Sequence, residues 1–331
     1  MNHSSSWSGF RAVTFSLALV AFASFSAFGQ APSGTANSAS DGDWSNNTTW
    51  GAIKAPSSVA VNIYHNVTLS SDIIAARNAA VYTGNLVIGD ASNANGDGSL
   101  TITSAGNLAF IGTTTIARNV AGSNGGNGAL TLDGGIFGGA AINLGSGSTG
   151  VSSATGVLTV KNGATLNTSG TLVVGGSGAN QQYGSFTNIG STNEITLSGL
   201  NLRNGLLSFT ADLNGISTIN VSGNTLFNDP NSRLAVDGAA YAGGSTEWSL
   251  IDGTNNLGLT NFGFDTLASR TTITGFDSSR YLTALIYDSA NYDLKLQITA
   301  VSAIPEPSTY AALAGGLALG VTMLRRRRAR R

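Results

Sequence analysis

A unit of about 28 residues recurs four times through the middle of this chain, and that repeat constrains the fold more tightly than any single motif. One anchor reads Gly98-Ser99-Leu100-Thr101-Ile102, then Gly128-Ala129-Leu130-Thr131-Leu132, Gly156-Val157-Leu158-Thr159-Val160 and a degenerate Gly184-Ser185-Phe186-Thr187-Asn188. A second anchor reads Leu86-Val87-Ile88, Thr115-Ile116-Ala117, Asn143-Leu144-Gly145 and Val173-Val174-Gly175. Leu100, Leu130, Leu158 and Phe186 are spaced by 30, 28 and 28 residues; Ile88, Ile116, Leu144 and Val174 by 28, 28 and 30. Two independent anchors sharing one period describe one structural unit, copied.

Within each unit the apolar residues alternate. Leu100 and Ile102 point one way while Ser99, Thr101 and Thr103 point the other, the period-two pattern of a half-buried strand. A shorter strand is expected between the anchors, at Leu108–Ile111, Ile136-Phe137 and Thr165–Asn167. Three short strands per unit predict one coil of a parallel β-solenoid, each strand pairing with its copy in the next coil. Stacking then buries an apolar stripe that no single coil could bury alone. A sandwich of hairpins is the competing arrangement. The connections Gly89–Gly98, Arg118–Gly128, Gly145–Gly156 and Gly175–Gly184 are rich in Gly, Ser and Asn, as corners with positive φ require.

Ahead of the repeats, Asp41-Gly42-Asp43-Trp44-Ser45 is followed by Trp50 and Pro56. This resembles the Gly-x-Trp…Trp…Pro lead-in of many bacterial surface solenoids. The two tryptophans are expected to cap the open apolar end of the stack; the alternative is a sugar-stacking platform made by Trp44 and Trp50. After Asp229-Pro230 the texture changes: Glu247–Asp252, Phe262-Gly263-Phe264 and Asp293–Ile298 are more aromatic and poorer in Gly. That stretch resembles the C-terminal end of autotransporter-associated β-strand repeat proteins. An autotransporter proper is not expected, because the chain lacks a run of ~10-residue barrel strands and ends in arginines.

The two ends carry the addressing information. Arg11 precedes an apolar, uncharged run from Ala12 to Phe28, and Ala27-Phe28-Gly29 places small residues at −3 and −1 of a cleavage site, predicting a secretory signal peptide removed after Gly29. At the other end, Pro305-Glu306-Pro307 is followed by an uncharged apolar stretch, Tyr310–Leu324, and by Arg325, Arg326, Arg327, Arg328, Arg330 and Arg331. Counted from Ser308, the stretch predicts a single transmembrane helix over 308–324, about 25 Å long at ~1.5 Å per residue, with the arginines held cytoplasmic. In order and position these segments resemble the PEP-CTERM sorting signal of Gram-negative bacteria. The resemblance implies an exosortase, a membrane protease or transpeptidase, acting near Pro305–Pro307, and a link to exopolysaccharide. The expected organisation is a signal peptide over 1–29, a β-solenoid over 30–230, a β-rich capping region over 231–304 and the sorting signal over 305–331, in an otherwise all-β chain.

Composition narrows the chemistry. With 44 glycines and only 10% charged residues the chain could be disordered, but 41% hydrophobic residues in regular spacing oppose that. Residues 31–304 hold nine basic against sixteen acidic groups, a net of −7, with no basic stripe for nucleic acid. Cysteine is absent, so no disulfide, thiolate nucleophile or Cys-based metal site exists. His3 belongs to the leader, so any Ser-His-Asp relay must run through His65, and paired carboxylates for glycoside hydrolysis have no candidate spacing. Gly145-x-Gly147-x-x-Gly150 lacks the strand–helix setting of a dinucleotide site, and Asp90–Asp97 lacks the closing Glu of a calcium loop. No catalytic residue, cofactor or metal is expected. The reading that follows is an exported, non-enzymatic surface or matrix protein, passing through an inner-membrane-anchored intermediate. The alternatives are a glycan-binding adhesin and a β-helix polysaccharide lyase or hydrolase.

Overall fold

The computed structural model describes residues 35–51, 60–72, 82–90, 96–118, 126–145, 155–176, 183–227, 229, 231–254, 257–258, 264–301 and 307–328. The segment 1–29, where a signal peptide is expected, Pro56, the tips of the corner loops, Phe262-Gly263, Pro305, Glu306, Arg330 and Arg331 lie outside them. The chain is all-β, built on a parallel β-solenoid of about six turns. One face is a nine-stranded sheet in the order β2 (Gly42–Asp43), β4 (Asn66–Leu69), β6 (Gly98–Thr103), β9 (Gly128–Asp133), β12 (Thr155–Lys161), β14 (Tyr183–Ile189), β16 (Leu206–Thr210), β19 (Arg233–Asp237) and β22 (Thr271–Thr274). The second sheet runs β1 (Thr35–Asn37), β3 (Ala60–Ile63), β5 (Leu86–Asp90), β8 (Thr114–Arg118), β11 (Ile142–Leu144), β13 (Thr165–Val174), β15 (Glu194–Leu202), β17 (Ile219–Val221), β20 (Thr246–Gly253), β24 (Asp293–Ala300) and β23 (Tyr281–Asp288). Its shorter members β7 (Asn107–Phe110), β10 (Ile136–Gly139), β18 (Thr225–Phe227) and β21 (Leu257–Gly258) branch from that path.

The register is the one the repeats predict. Leu100 stands over Leu130, Leu130 over Leu158 and Leu158 over Phe186. In the second sheet Ile88, Ile116, Leu144 and Val174 form the matching column. The third-strand column joins Leu108, Phe137 and Leu166. All of these residues are completely buried. Each step along a column is one ladder spacing, ~4.8 Å, so every coil covers the apolar face of its neighbour.

The corner after the second anchor repeats a left-handed residue at Gly89, Ala117, Gly145 and Gly175, with φ of 72°, 62°, 71° and 88°. A β-carbon on Gly175 would lie 1.9 Å from the Arg203 carbonyl oxygen in the next coil. The glycine is therefore set by close approach as well as by φ.

Two expectations are corrected. The solenoid does not stop at residue 230: β19 pairs in parallel with β16 and with β22, and β17 pairs in parallel with β20. The change in texture instead marks what closes the stack, an antiparallel β23–β24 hairpin laid against β20. Beside it Tyr241, Trp248 of β20, Phe276 and Tyr281 of β23 pack as an aromatic cluster, with Tyr241 and Trp248 edge to face at 4.7 Å. A short helix, α1 (Phe264–Ser269), buries Leu267 on the way.

The second correction concerns the tail. A helix forms there, α2 (Pro307–Arg328), but among the described residues no helix is long and apolar enough to cross a membrane. The uncharged stretch 308–324 falls short of the ~20 residues a span needs. Gly315, Gly316, Gly320 and Thr322 dilute it further, and its last turn is arginine.

Candidate functional site

Trp44 and Trp50 sit where the stack begins. A 3-10 turn, Asn47–Trp50, is capped by Asn46, whose side-chain oxygen accepts from the Thr48 N–H at 3.0 Å, and it ends on Gly51 at φ 69°. The turn folds Trp50 back onto Trp44, edge to face at 5.0 Å, and the Trp50 indole donates to the Trp44 carbonyl at 2.8 Å. Trp44 meets Tyr82 at 5.9 Å, and Tyr82 stacks on Phe110 at 4.7 Å. Trp44 is 0% and Trp50 3% exposed. Neither ring offers a face to a sugar, so the stacking-platform alternative is corrected: these indoles are the first layer of the core.

Asp43, beside them, accepts from Ser45 and from the Ser70 hydroxyl at 2.7 Å. Burial raises its pKa, but these donors outweigh it and hold the carboxyl below its usual range.

The single histidine of the body closes the first corner. His65 Nδ1 lies 3.0 Å from the Ser38 hydroxyl, and that oxygen accepts from the Tyr64 N–H at 2.8 Å. Asp41, whose carboxylate feels the charge of His65, accepts from Asn66 through its backbone N–H at 2.8 Å and its side chain at 3.2 Å. Those bonds lower the Asp41 pKa and occupy its carboxylate. Ser38 is itself buried. The three groups tie the coil together rather than line up as nucleophile, base and orienter.

The carboxylates at the corner loop are likewise committed. Asp90 is buried and ion-paired with Arg118, one coil on, and Asp97 accepts from the Asn127 N–H at 2.7 Å. Among the described residues no group of three or more His, Cys, Asp or Glu side chains is placed to hold a metal ion.

The nine-stranded sheet presents a regular outer face. Thr68, Thr101, Thr131, Thr159 and Thr187 occupy equivalent positions in five successive strands. Polar pairs run beside this hydroxyl column, with Ser99 donating to Asn66 at 2.7 Å, Asn162 donating to Asp133 at 2.6 Å and Lys161 ion-paired with Asp133 at 3.1 Å.

Comparison with protein-family models, curated proteins and solved structures returns no match. The site is therefore read on geometry alone.

The tail is the most unusual surface. Leu313, Leu317, Leu319, Val321 and Met323 of α2 are 61%, 69%, 60%, 48% and 62% exposed. A helix apolar on every side is ordinarily buried in protein or lipid. Pro307 opens it, where a missing N–H costs nothing, and Arg325 and Arg326 stand exposed near its end, favourably placed against the helix dipole. Arg327 and Arg328 complete the helix.

Sequence reasoning missed a polar knot inside the core. Asn193 accepts from the Gly163 and Ala164 N–H groups at 3.0 and 3.1 Å and donates to the Asn188 side-chain oxygen at 2.8 Å. Asn188 donates to the Ser217 carbonyl at 2.7 Å. The visible sign was the degenerate repeat, where Asn188 replaces the apolar residue of its column.

Proposed function

We propose that this chain is an exported structural rod of the cell surface or extracellular matrix, delivered there by its C-terminal segment. What carries the reading is one juxtaposition: a helix that exposes Leu313, Leu317 and Leu319, ends in arginines and opens on the last residue of Pro305-Glu306-Pro307. In this reading the apolar surface of α2 associates with inner-membrane lipid while the arginines bind anionic headgroups. The Pro-Glu-Pro box is, in this reading, the site at which an exosortase separates body from tail. The body contributes rigidity, since a stack of parallel coils saturates its backbone donors along the rod axis and needs no disulfide.

A second reading, glycan binding, is favoured by a different observation. The threonine column is a periodic polar track along one sheet, suited to an extended polysaccharide. In that case the ligand lies on the sheet face and not on the buried tryptophans. A glycan array probed with wild type and with Thr131→Val/Thr159→Val distinguishes the two readings.

The sorting reading is tested at Glu306. Glu306→Ala lies outside the helix and leaves the apolar surface intact, so membrane association is retained. In a host that supplies the sorting enzyme, the full-length form is expected to accumulate at the inner membrane, and mass spectrometry of the surface fraction should lose the shortened C-terminus. Processing indistinguishable from wild type would sink the sorting reading.

A further inference from the structure

The fifteen-stranded sheet ends on β23, whose outer edge has no neighbouring strand among the described residues. Natural proteins usually blunt such an edge with proline, lysine, a bulge or a covering segment. Here the strand runs Tyr-Leu-Thr-Ala-Leu-Ile-Tyr-Asp, and it pairs with β24 without a break from Tyr281↔Ala300 to Asp288↔Asp293. Leu282 is 64% exposed and Ala284 is exposed beside it.

The direction of the peptide groups follows from one bond. Val301 donates to the Arg280 carbonyl at 2.8 Å. Arg280, Leu282, Ala284, Ile286 and Asp288 therefore turn their N–H and C=O groups toward β24, and Thr283, Leu285 and Tyr287 turn theirs to the open side. The Tyr281 N–H is already spent on the Asp277 carbonyl at 2.9 Å.

The segment Arg280–Asp288 is also self-complementary. Reversed and laid against itself with Ala284 at the centre, it sets Thr283 opposite Leu285, Leu282 opposite Ile286, Tyr281 opposite Tyr287 and Arg280 opposite Asp288. We propose that two copies of this chain join edge to edge through β23, antiparallel, about a two-fold axis at Ala284. The residues that must exchange hydrogen bonds in that register, Thr283 with Leu285, are the ones whose peptide groups face outward. A shift of the two-fold by one residue in either direction sets Leu282 against Asp288 or Arg280 against Ile286. Both ends of the paired ribbon instead gain an Arg–carboxylate contact. Asn291 and Lys295 hold the Asp288 pKa down to about 2, so the carboxylate is charged at any physiological pH. An isologous two-fold contact closes on itself and does not propagate into fibres.

The chain has no cysteine, so a single introduced thiol reports the register directly. Opposed residues at a non-hydrogen-bonded position lie ~4.5 Å apart at Cα, within disulfide reach. Ala284→Cys in the full-length chain should therefore give a disulfide-linked dimer on mild oxidation. Leu282→Cys places its two thiols roughly 14 Å apart along the ribbon and should not. Ala284→Asp adds an exposed charge to one copy but sets two like charges face to face in the pair. Sedimentation should fall from twice the chain mass to once, with an unchanged circular dichroism spectrum. Wild type at single mass, an Ala284→Asp variant that stays dimeric, or equal cross-linking at positions 282 and 284 would each overturn the proposal.

Discussion

Asn193 shows how a single side chain holds two coils in register. Its amide oxygen receives two backbone N–H groups from the turn below, and its nitrogen serves Asn188, the Ile189 carbonyl at 2.8 Å and the Val160 carbonyl at 3.2 Å. Replacing it with Leu leaves the buried Asn188 oxygen only the 3.4 Å bond from the Ser217 hydroxyl and takes an acceptor from the buried Ala164 N–H, and a buried polar group left short of partners costs about 1–3 kcal/mol. Asn193→Leu should therefore lower stability by about 2 kcal/mol in urea titration, despite adding apolar surface.

The left-handed corner supplies a matched comparison. Gly175→Ala drives a β-carbon into the Arg203 carbonyl and imposes an unfavourable φ, together costing about 3 kcal/mol. Ala117 already bears a positive φ two column positions away, so Ala117→Gly should change stability by less than about 1 kcal/mol.

At the level of elements, what was legible was whatever the repeat copies. The strands β6, β9, β12 and β14 and their register could be read because Leu100, Leu130, Leu158 and Phe186 occupy one column and alternate with polar residues. The Trp44–Trp50 pair was legible as a cap for the same reason: an open apolar end needs something large to cover it. The boundary near residue 230 was misread because a change in residue type was taken for a change in pairing. Phe209 and Val236 lie in the same column, and Ile273 continues it, so the ladder passes that point unaltered. Only the hairpin reverses direction, and nothing in the alternation of β23 and β24 distinguishes antiparallel from parallel strands. The tail helix was legible as a helix but not in its extent. Apolar residues marked its body, yet the helical ladder continues through Arg325–Arg328, which favour its C-terminal turn. His65 stood out as the one histidine through which a relay could run, but its partner Ser38, 27 residues earlier, comes from a different coil and no local spacing announces it.

At the level of the whole molecule, a stack of coils distributes stability along one dimension, so where a coil is broken matters as much as how. Leu130 sits mid-stack, fully buried between Leu100 and Leu158. An aspartate there places an unpaired charge in the column and deprives both neighbours of their apolar cover. The cost of several kcal/mol is comparable with the whole margin of an ordinary domain. In a globular core such a lesion unfolds everything together. In this molecule the coils from β14 onward keep their own column through Phe186, Leu207 and Leu234, and the β23–β24 hairpin still closes their far end. Leu130→Asp should therefore divide the rod: hydrogen exchange measured by mass spectrometry is expected to speed up across residues 98–161 while residues 194–300 stay protected. Uniform loss of protection would mean that the two halves fold as one cooperative body. Stability would then be set by the molecule's ends and not, as the continuous columns imply, by each coil's contact with the next.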